Sequence, residues 1–165
     1  MKRGVAVILV LISSLSYGYT IDFDQDLKKN PFKLNRRAKH PAGFNIYFAG
    51  PVGLAGASFD YFIVPKFSVE IGAGIRDFDA NVGYFGGGRF HFFGNSFLNT
   101  TPYLGLFSGF EFKNGDIRNY NLYIPFGIQR IKKNKTTWSI EVAYQRNTYS
   151  PGNRIYGGGK LGFRF

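Results

Sequence analysis

The last ten residues of the chain, Tyr156-Gly157-Gly158-Gly159-Lys160-Leu161-Gly162-Phe163-Arg164-Phe165, end in a regular alternation of apolar with charged or small positions. Leu161, Phe163 and Phe165 fall on one face, and Lys160, Gly162 and Arg164 fall on the other. A repeat of two residues is the period of a β-strand whose two faces meet different surroundings. The stretch therefore predicts a strand with one apolar face and one charged face.

The beginning of the chain has the features of an export signal. Lys2 and Arg3 precede an apolar run over residues 4–15, and small residues follow up to Gly18. This order is typical of a secretory signal peptide, and the run is too short to span a membrane as a helix. We predict a signal peptide over residues 1–18, cleaved after Gly18; the alternative is an uncleaved membrane anchor. Because the sequence contains no cysteine, a lipoprotein anchor, disulfides and thiol chemistry are excluded.

Residues 19–42 form a polar and mainly basic segment without strand alternation, and we predict a periplasmic N-terminal arm there. Such an arm is either a solvated lead-in or a basic contact with lipid headgroups. The whole chain has a formal net charge of +11. In an exported protein this surplus favours anionic lipid headgroups and lipopolysaccharide phosphates as partners, and no nucleic acid is expected.

From Gly43 to Phe165 the sequence repeats the alternating pattern in segments that are separated by turn residues. Segments of about ten residues are long enough to cross a bilayer as tilted strands. An even number of them closes into a barrel with both ends on one side. We therefore predict an all-β fold, an eight-stranded antiparallel up-and-down transmembrane β-barrel over residues 43–165. The predicted strands are 43–50, 53–63, 67–76, 82–93, 102–112, 120–131, 137–147 and 156–165.

The two faces of these strands predict which side meets lipid. One face carries Leu, Ile, Val and aromatic residues and no full charge, as in Phe44, Ile46 and Phe48 of the first strand. A charge facing lipid at the bilayer midplane costs about 2–4 kcal/mol, so this face is predicted to point outward. The other face mixes charged residues with Gly and Ala. An eight-stranded barrel is just wide enough for such side chains to fill it, so a polar, side-chain-filled lumen is expected.

Four charged residues of the polar face are predicted to lie at a similar height in the lumen. Glu70 and Arg89 are on adjacent strands three and four, and Glu141 and Lys160 are on adjacent strands seven and eight. Because a lone buried charge is expensive, we predict that these four form a cross-lumen ion-pair cluster. Such a cluster acts either as a structural plug or as a gated path for protons or ions.

Other inward positions are predicted from the same alternation. The secondary polar residues of the lumen are Asp60, His91, Glu111 and Arg164. Pro125 lies inside strand six, where it cannot donate to the ladder, so a bulge or a local opening is expected there. Phe85 and Phe107 also face inward, and they offer the lining of a pocket for a small hydrophobic ligand.

The last predicted strand is apolar outward and charged inward, ends at Phe165, and follows seven similar strands and a predicted signal peptide. In these features the chain resembles the OmpA/OmpX-type family of small eight-stranded outer-membrane barrels. The resemblance implies a monomeric integral protein of the Gram-negative cell envelope with a porin-like fold. It implies that Leu161, Phe163 and Phe165 are the insertion signal that the barrel-assembly machinery reads. Outer-membrane lipids and lipopolysaccharide are the other partners that it implies.

Small outer-membrane barrels include lipid A deacylases, which pair a His with a Ser two residues on. His91 is followed by Phe92 and Phe93, and His40 by Pro41 and Ala42, so neither fits. We therefore predict no catalytic residue, no metal site, no cofactor and no enzymatic activity. The predicted function is a structural or envelope-interaction barrel whose lumen is plugged by ion pairs. The alternatives are a narrow channel, a barrel that holds a small molecule or lipid, a lipid A-modifying enzyme, and a secreted lipocalin-like barrel with an oily interior.

Overall fold

The computed structural model describes residues 35–76, 81–94, 99–113, 116–147 and 153–165. The predicted signal peptide and most of the predicted N-terminal arm lie outside these residues. The described chain begins with a single helical turn, α1, at Arg36–Lys39. Eight strands follow: β1 Ala42–Gly50, β2 Gly53–Val64, β3 Phe67–Ile75, β4 Val82–His91, β5 Thr100–Lys113, β6 Asp116–Ile131, β7 Thr136–Asn147 and β8 Asn153–Arg164.

The strands form a closed barrel in which each strand pairs antiparallel with its neighbour in sequence. Closure is made by β1 and β8, where Phe44 lies opposite Phe163 and Ile46 lies opposite Leu161. The predicted eight-stranded antiparallel up-and-down barrel is confirmed. The apolar residues of the last strand thus meet those of the first, which gives the closing seam the same outward face as the rest of the wall.

Side chains alternate between an exposed apolar wall and a buried polar interior, as the sequence pattern predicts. Ile140, Val142 and Leu161 face outward with 60%, 58% and 62% of their surface exposed. The buried polar set includes carboxylates, guanidiniums, amides and hydroxyls from all eight strands. A water-soluble barrel of this size would place its aliphatic residues inside, so the lipocalin-like arrangement with an oily interior is not the one observed.

Several strand boundaries differ from the predicted ones. β5 and β6 extend to Lys113 and Asp116, which lie in a segment predicted to be a loop. β8 begins at Asn153 rather than at residue 156. β4 ends at His91, so Phe92, which is within the predicted fourth strand, lies in the turn that follows. Backbone pairing continues beyond the apolar band because the ladder needs hydrogen-bond partners but no particular side chains.

Pro125 interrupts one ladder of β6 and leaves the other intact. Toward β7 it lies in register opposite Ala143. Toward β5 the paired residues stop at Leu104 and Phe126 and resume at Phe107 and Tyr123 with the register unchanged. The result is a local opening, which was one of the two predicted outcomes, because proline lacks the N–H that the ladder requires. The register shift between β5 and β6 occurs instead at Glu111 and Phe112.

The barrel has two ends, which we name by what they contain. The terminal rim consists of α1, the turn at Pro65 and Lys66, residues 92–94, and the turn over residues 132–135. The loop rim consists of the turn at Pro51 and Val52 and the strand ends on the same side. Within the described part of the chain, no helix has the length and apolar character needed to cross a membrane.

Candidate functional site

A charged cluster lies across the middle of the lumen and joins three strands. Glu70 of β3 is ion-paired with Arg89 of β4 and with Lys160 of β8, whose Nζ is 2.9 Å from Glu70 Oε1. The three side chains are between 1% and 3% exposed. Charges that are this deeply removed from water require compensation, and here each cation faces the same carboxylate. Lys160 therefore spans the lumen to reach a strand that is separated from its own by β1 and β2.

Aromatic rings surround the two cations of this cluster. The Cζ atom of Arg89 lies 5.1 Å from the ring centres of both Tyr103 and Phe107. The Nζ atom of Lys160 lies 5.5 Å from the ring centre of Phe107. Cations at this distance from a ring face are attracted by its quadrupole, more strongly where water is excluded. The aromatic residues thus replace part of the hydration that the cations have lost.

Glu141, the fourth predicted member, has different partners from those predicted. Its carboxylate accepts hydrogen bonds from the hydroxyls of Tyr103 and Tyr123, the latter with an O–O distance of 2.5 Å. Strand register places Lys160 opposite Ser139 and Glu141 opposite Gly158, and Lys160 forms its ion pair with Glu70. Glu141 is therefore two residues nearer the loop rim. Both cations of the cluster still attract it electrostatically.

A second ion pair lies closer to the terminal rim. Arg164 donates from Nη1 to Asp60 Oδ2 at 2.8 Å, and Asn45 donates to the other carboxylate oxygen at 2.7 Å. The remaining Arg164 nitrogens donate to the main-chain oxygens of His40 and Pro41, at 2.8 and 2.5 Å. Arg164 therefore ties the segment before β1 to the last strand.

The predicted N-terminal arm ends inside the barrel, which the sequence pattern did not indicate. Arg37 of α1 is 1% exposed, and its Nη2 donates to Thr101 Oγ1 at 2.6 Å. Asn35 caps the helix by accepting from the Arg37 N–H, and its side chain donates to the Gly94 oxygen at 2.5 Å. Burial and the neighbouring Arg164 lower the pKa of Arg37 to about 10. The helical turn thus lies across the terminal rim with a buried guanidinium at its centre.

The loop rim is covered by the turn between β1 and β2, which folds inward. Val52 is fully buried. The main-chain oxygen of Pro51 accepts from Asn121 at 3.0 Å and from Gln145 at 3.2 Å. Ala49 and Gly53 flank the turn with φ values of 52° and 128°, in the left-handed region that most side chains disfavour. This unusual backbone directs the turn toward the axis of the barrel.

The remaining predicted lumen residues are buried, with partners of their own. Glu111 pairs with Arg76, the last residue of the predicted third strand, and accepts from Asn119 at 3.2 Å. His91 packs against the rings of Phe62 and Tyr103, and its Nε2 is 3.4 Å from Ser68 Oγ. No group of residues in the described ranges has the composition and spacing of a metal site.

Phe85 and Phe107, predicted to line a ligand pocket, are packed into the core of the lumen. They contact each other with ring centres 5.9 Å apart, and Phe85 contacts Tyr47 at 5.5 Å. A cavity of about 500 Å³ lies instead at the loop rim, where neither phenylalanine contributes to its wall. Its lining includes Leu54, Gln145 and Asn147.

The predicted insertion signal lies on the outer surface of the closing seam. Leu161, Phe163 and Phe165 are exposed on the outward face, and the N–H of Phe165 donates to the Ala42 oxygen at 3.0 Å. Phe165 itself follows the last residue of β8. The role of these residues as an insertion signal stays a prediction.

Comparisons with known proteins were made on sequence and on structure. The sequence matches no protein-family profile and no curated protein. The fold is similar to the crystal structure of the N-terminal β-barrel domain of Pseudomonas aeruginosa OprF, with a TM-score of 0.61 and 13% sequence identity. The similarity covers 76% of this chain and 98% of the OprF domain. The chain therefore has the OmpA-like fold of the small eight-stranded outer-membrane β-barrels.

Proposed function

We propose that the protein is an integral outer-membrane β-barrel with a structural or envelope-interaction role, and that its lumen is closed to solutes. The observation that carries the proposal is the distribution of charge. Among the side chains that the structure describes in the strands, the outward-facing charged ones are Arg130 and Arg146, and each lies next to a strand end. Between them the outer wall is apolar, which suits hydrocarbon and would be costly in water.

Three levels of buried side chains support a closed lumen. Arg37 of α1 covers the terminal rim, the cluster around Glu70 crosses the middle, and Val52 covers the loop rim. The terminal level is held by the hydrogen bond from Arg37 to Thr101, and the central level is held by the ion pairs of Glu70. The level at the loop rim is held by the hydrogen bonds from Asn121 and Gln145 to Pro51. A hydrated ion that crosses the barrel would have to displace all three.

The resemblance and the fold support the remaining parts of the proposal. Export would use the predicted signal peptide, and insertion would use the barrel-assembly machinery and the apolar end of β8. We propose a monomer that contacts lipids and lipopolysaccharide, without nucleic-acid binding and without catalysis.

Two experiments test the proposal. After detergent extraction of the cell envelope, the unheated protein is expected to migrate faster on a gel than the boiled protein and to fractionate with outer membranes. In planar bilayers the wild-type protein is expected to show no steady current. A steady open pore would contradict the closed lumen, and a protein that stays in the aqueous fraction would contradict the membrane location.

A further inference from the structure

The terminal rim carries a concentration of positive charge that the proposed barrel function does not explain. Six of its basic side chains come from α1 and the residue after it, from the end of β6 and from the turn that follows β6: Lys39, His40, Arg130, Lys132, Lys133 and Lys135. Among the acidic side chains that the structure describes, all are buried in the lumen: Asp60, Glu70, Glu111 and Glu141. Within the described residues, these six basic side chains therefore have no acidic side chain at the surface beside them.

The turn over residues 132–135 holds three lysines in a fixed arrangement. The Lys132 N–H donates to the Thr136 oxygen at 2.8 Å, and the Lys135 N–H donates to the Lys132 oxygen at 3.2 Å. Asn134 Oδ1 accepts from the Thr136 hydroxyl at 2.7 Å. The Lys135 oxygen in turn accepts from the Arg164 N–H at 2.9 Å, which fixes the turn to β8. A site with a fixed backbone loses less conformational entropy on binding than a mobile loop does.

The segment after α1 lies within the electrostatic field of this turn. His40, which is outside the strands, has a lowered pKa, chiefly because of partial burial and then because of Lys135, Lys39 and Arg164. The lysines of two separate elements thus act on one imidazole. Their combined field at the rim is positive, which is the field that attracts an anion.

The orientation of the site indicates the source of the anion. Arg130 faces outward, two residues beyond the outward-facing Ile128, and lies opposite Trp138 of β7 in the ladder. A cation beside an interfacial aromatic residue at the edge of an apolar wall lies at the depth of lipid headgroups. The charged turn is therefore continuous with the lipid-facing surface. A soluble polyanion would not require cations on the outer side of the wall.

We propose that the terminal rim binds the phosphate groups of anionic phospholipids through the lysines of the 132–135 turn, together with Arg130 and Lys39. The ligand class is a glycerophospholipid with net negative charge, of which phosphatidylglycerol is the simplest example. The inference rests on the proposed membrane location. It adds a preference for one headgroup class at one end of the barrel.

The position of the sole tryptophan allows a direct test. Trp138 lies opposite Arg130, so its fluorescence reports the lipids at this rim. The full-length protein is folded into vesicles that mix phosphatidylcholine with phosphatidylglycerol, with bromine on the chains of one or the other lipid. Brominated phosphatidylglycerol is expected to quench Trp138 as if bound about threefold more tightly than phosphatidylcholine, and about 0.5 M salt is expected to reduce this preference.

The variants assign the preference to the turn. Replacing all three lysines by Gln (Lys132→Gln, Lys133→Gln, Lys135→Gln) is expected to bring the relative affinity close to one. The matched control removes two cations at the loop rim (Arg146→Gln, Arg154→Gln) and is expected to leave it unchanged. By NMR, the pKa of His40 is expected to rise when phosphatidylglycerol is added, because a bound phosphate offsets the field of Lys39 and Lys135.

Several outcomes would overturn the inference. Equal quenching by the two lipids shows insertion without headgroup preference, whereas absence of quenching by either lipid contradicts the membrane location itself. Loss of the preference in millimolar inorganic phosphate at constant ionic strength identifies a free-phosphate site. A preference that emerges only after Asp22, Asp24 and Asp26 are changed to Asn shows that the rim is neutralised by the protein's own acidic residues.

Discussion

The stability of the barrel should depend on the coupling between Glu70 and Lys160. The relevant variants are Glu70→Gln, Lys160→Met and the double variant. Glu70 is paired with Lys160 at 2.9 Å and also with Arg89 in the interior of the lumen. Glu70, Arg89, Lys160 and Glu141 carry charges that sum to zero. Removal of the Glu70 charge therefore leaves two cations near one another with only Glu141 to balance them.

The distances set the expected magnitudes. At 2.9 Å, an effective dielectric constant of about 20 gives a gross attraction of about 6 kcal/mol between Glu70 and Lys160, much of which offsets desolvation. Removing one partner of a buried pair costs about 3–5 kcal/mol, which we expect for Glu70→Gln. Lys160→Met leaves the pair between Glu70 and Arg89 intact and should cost less. The coupling energy in the double variant is expected to be about 2 kcal/mol.

The coupling is measured by urea unfolding in phosphatidylcholine vesicles, with Trp138 fluorescence as the signal and gel mobility as the check on folding. The control cycle combines Lys160→Met with Glu111→Gln, because Glu111 pairs with Arg76 at the loop rim and shares no ion pair with Lys160. We expect the control costs to add within about 0.5 kcal/mol. If the costs of Glu70→Gln and Lys160→Met also add to within that margin, the lumen pair is not energetically coupled and the reasoning is refuted.

Three further predictions concern the two ends of the barrel. Arg37→Met removes the hydrogen bond to Thr101, so hydrogen exchange at the backbone amides of Lys39 and His40 should accelerate about tenfold or more, which corresponds to a loss of about 1.4 kcal/mol. The control variant Lys39→Met should leave the exchange rates unchanged. Equal exchange rates in both variants would show that α1 does not depend on Arg37. Gly83→Ala places a Cβ 2.8 Å from Val52 Cβ and should lower the free energy of unfolding by about 1–3 kcal/mol. Adding Val52→Gly should recover part of that loss. If the urea midpoint does not recover, the inward turn does not press on Gly83. The pKa of His40 in the folded protein lies below its unfolded value near 6.5, so the unfolded state binds more protons. The stability of the wild type relative to His40→Gln should therefore be highest above pH 6.5 and should fall as the pH drops below that value. An unchanged stability difference between pH 7.5 and pH 5 would contradict this.

The proposed closure of the lumen combines two kinds of interaction with different sensitivity to solution conditions. The central cluster depends on charge, but it is shielded from salt because its side chains are buried. The inward turn depends on packing of Val52 and on amide hydrogen bonds to Pro51. Salt and moderate pH changes should therefore leave both closures intact, in contrast to the headgroup preference proposed for the terminal rim.

The sequence alone determined which face of each strand points outward and which charged residues enter the lumen. This was possible because strand alternation is local: once Leu161 points outward, Lys160 and Gly162 must point inward. The cost of placing a charge in hydrocarbon then assigns the apolar face to the outside. The same local rule located Glu70, Arg89, His91 and the other polar residues of the interior.

Only the tertiary structure decided which of these residues are partners. Pairing across the lumen depends on strand stagger. Glu141 lies two residues along β7 from the position opposite Lys160, and its carboxylate accepts hydrogen bonds from the hydroxyls of Tyr103 and Tyr123. The burial of Arg37 and of Val52 has no periodic signal, because each lies outside the strands and is held by contacts with residues distant in sequence. Periodicity specifies faces, whereas the closed geometry of the barrel specifies neighbours.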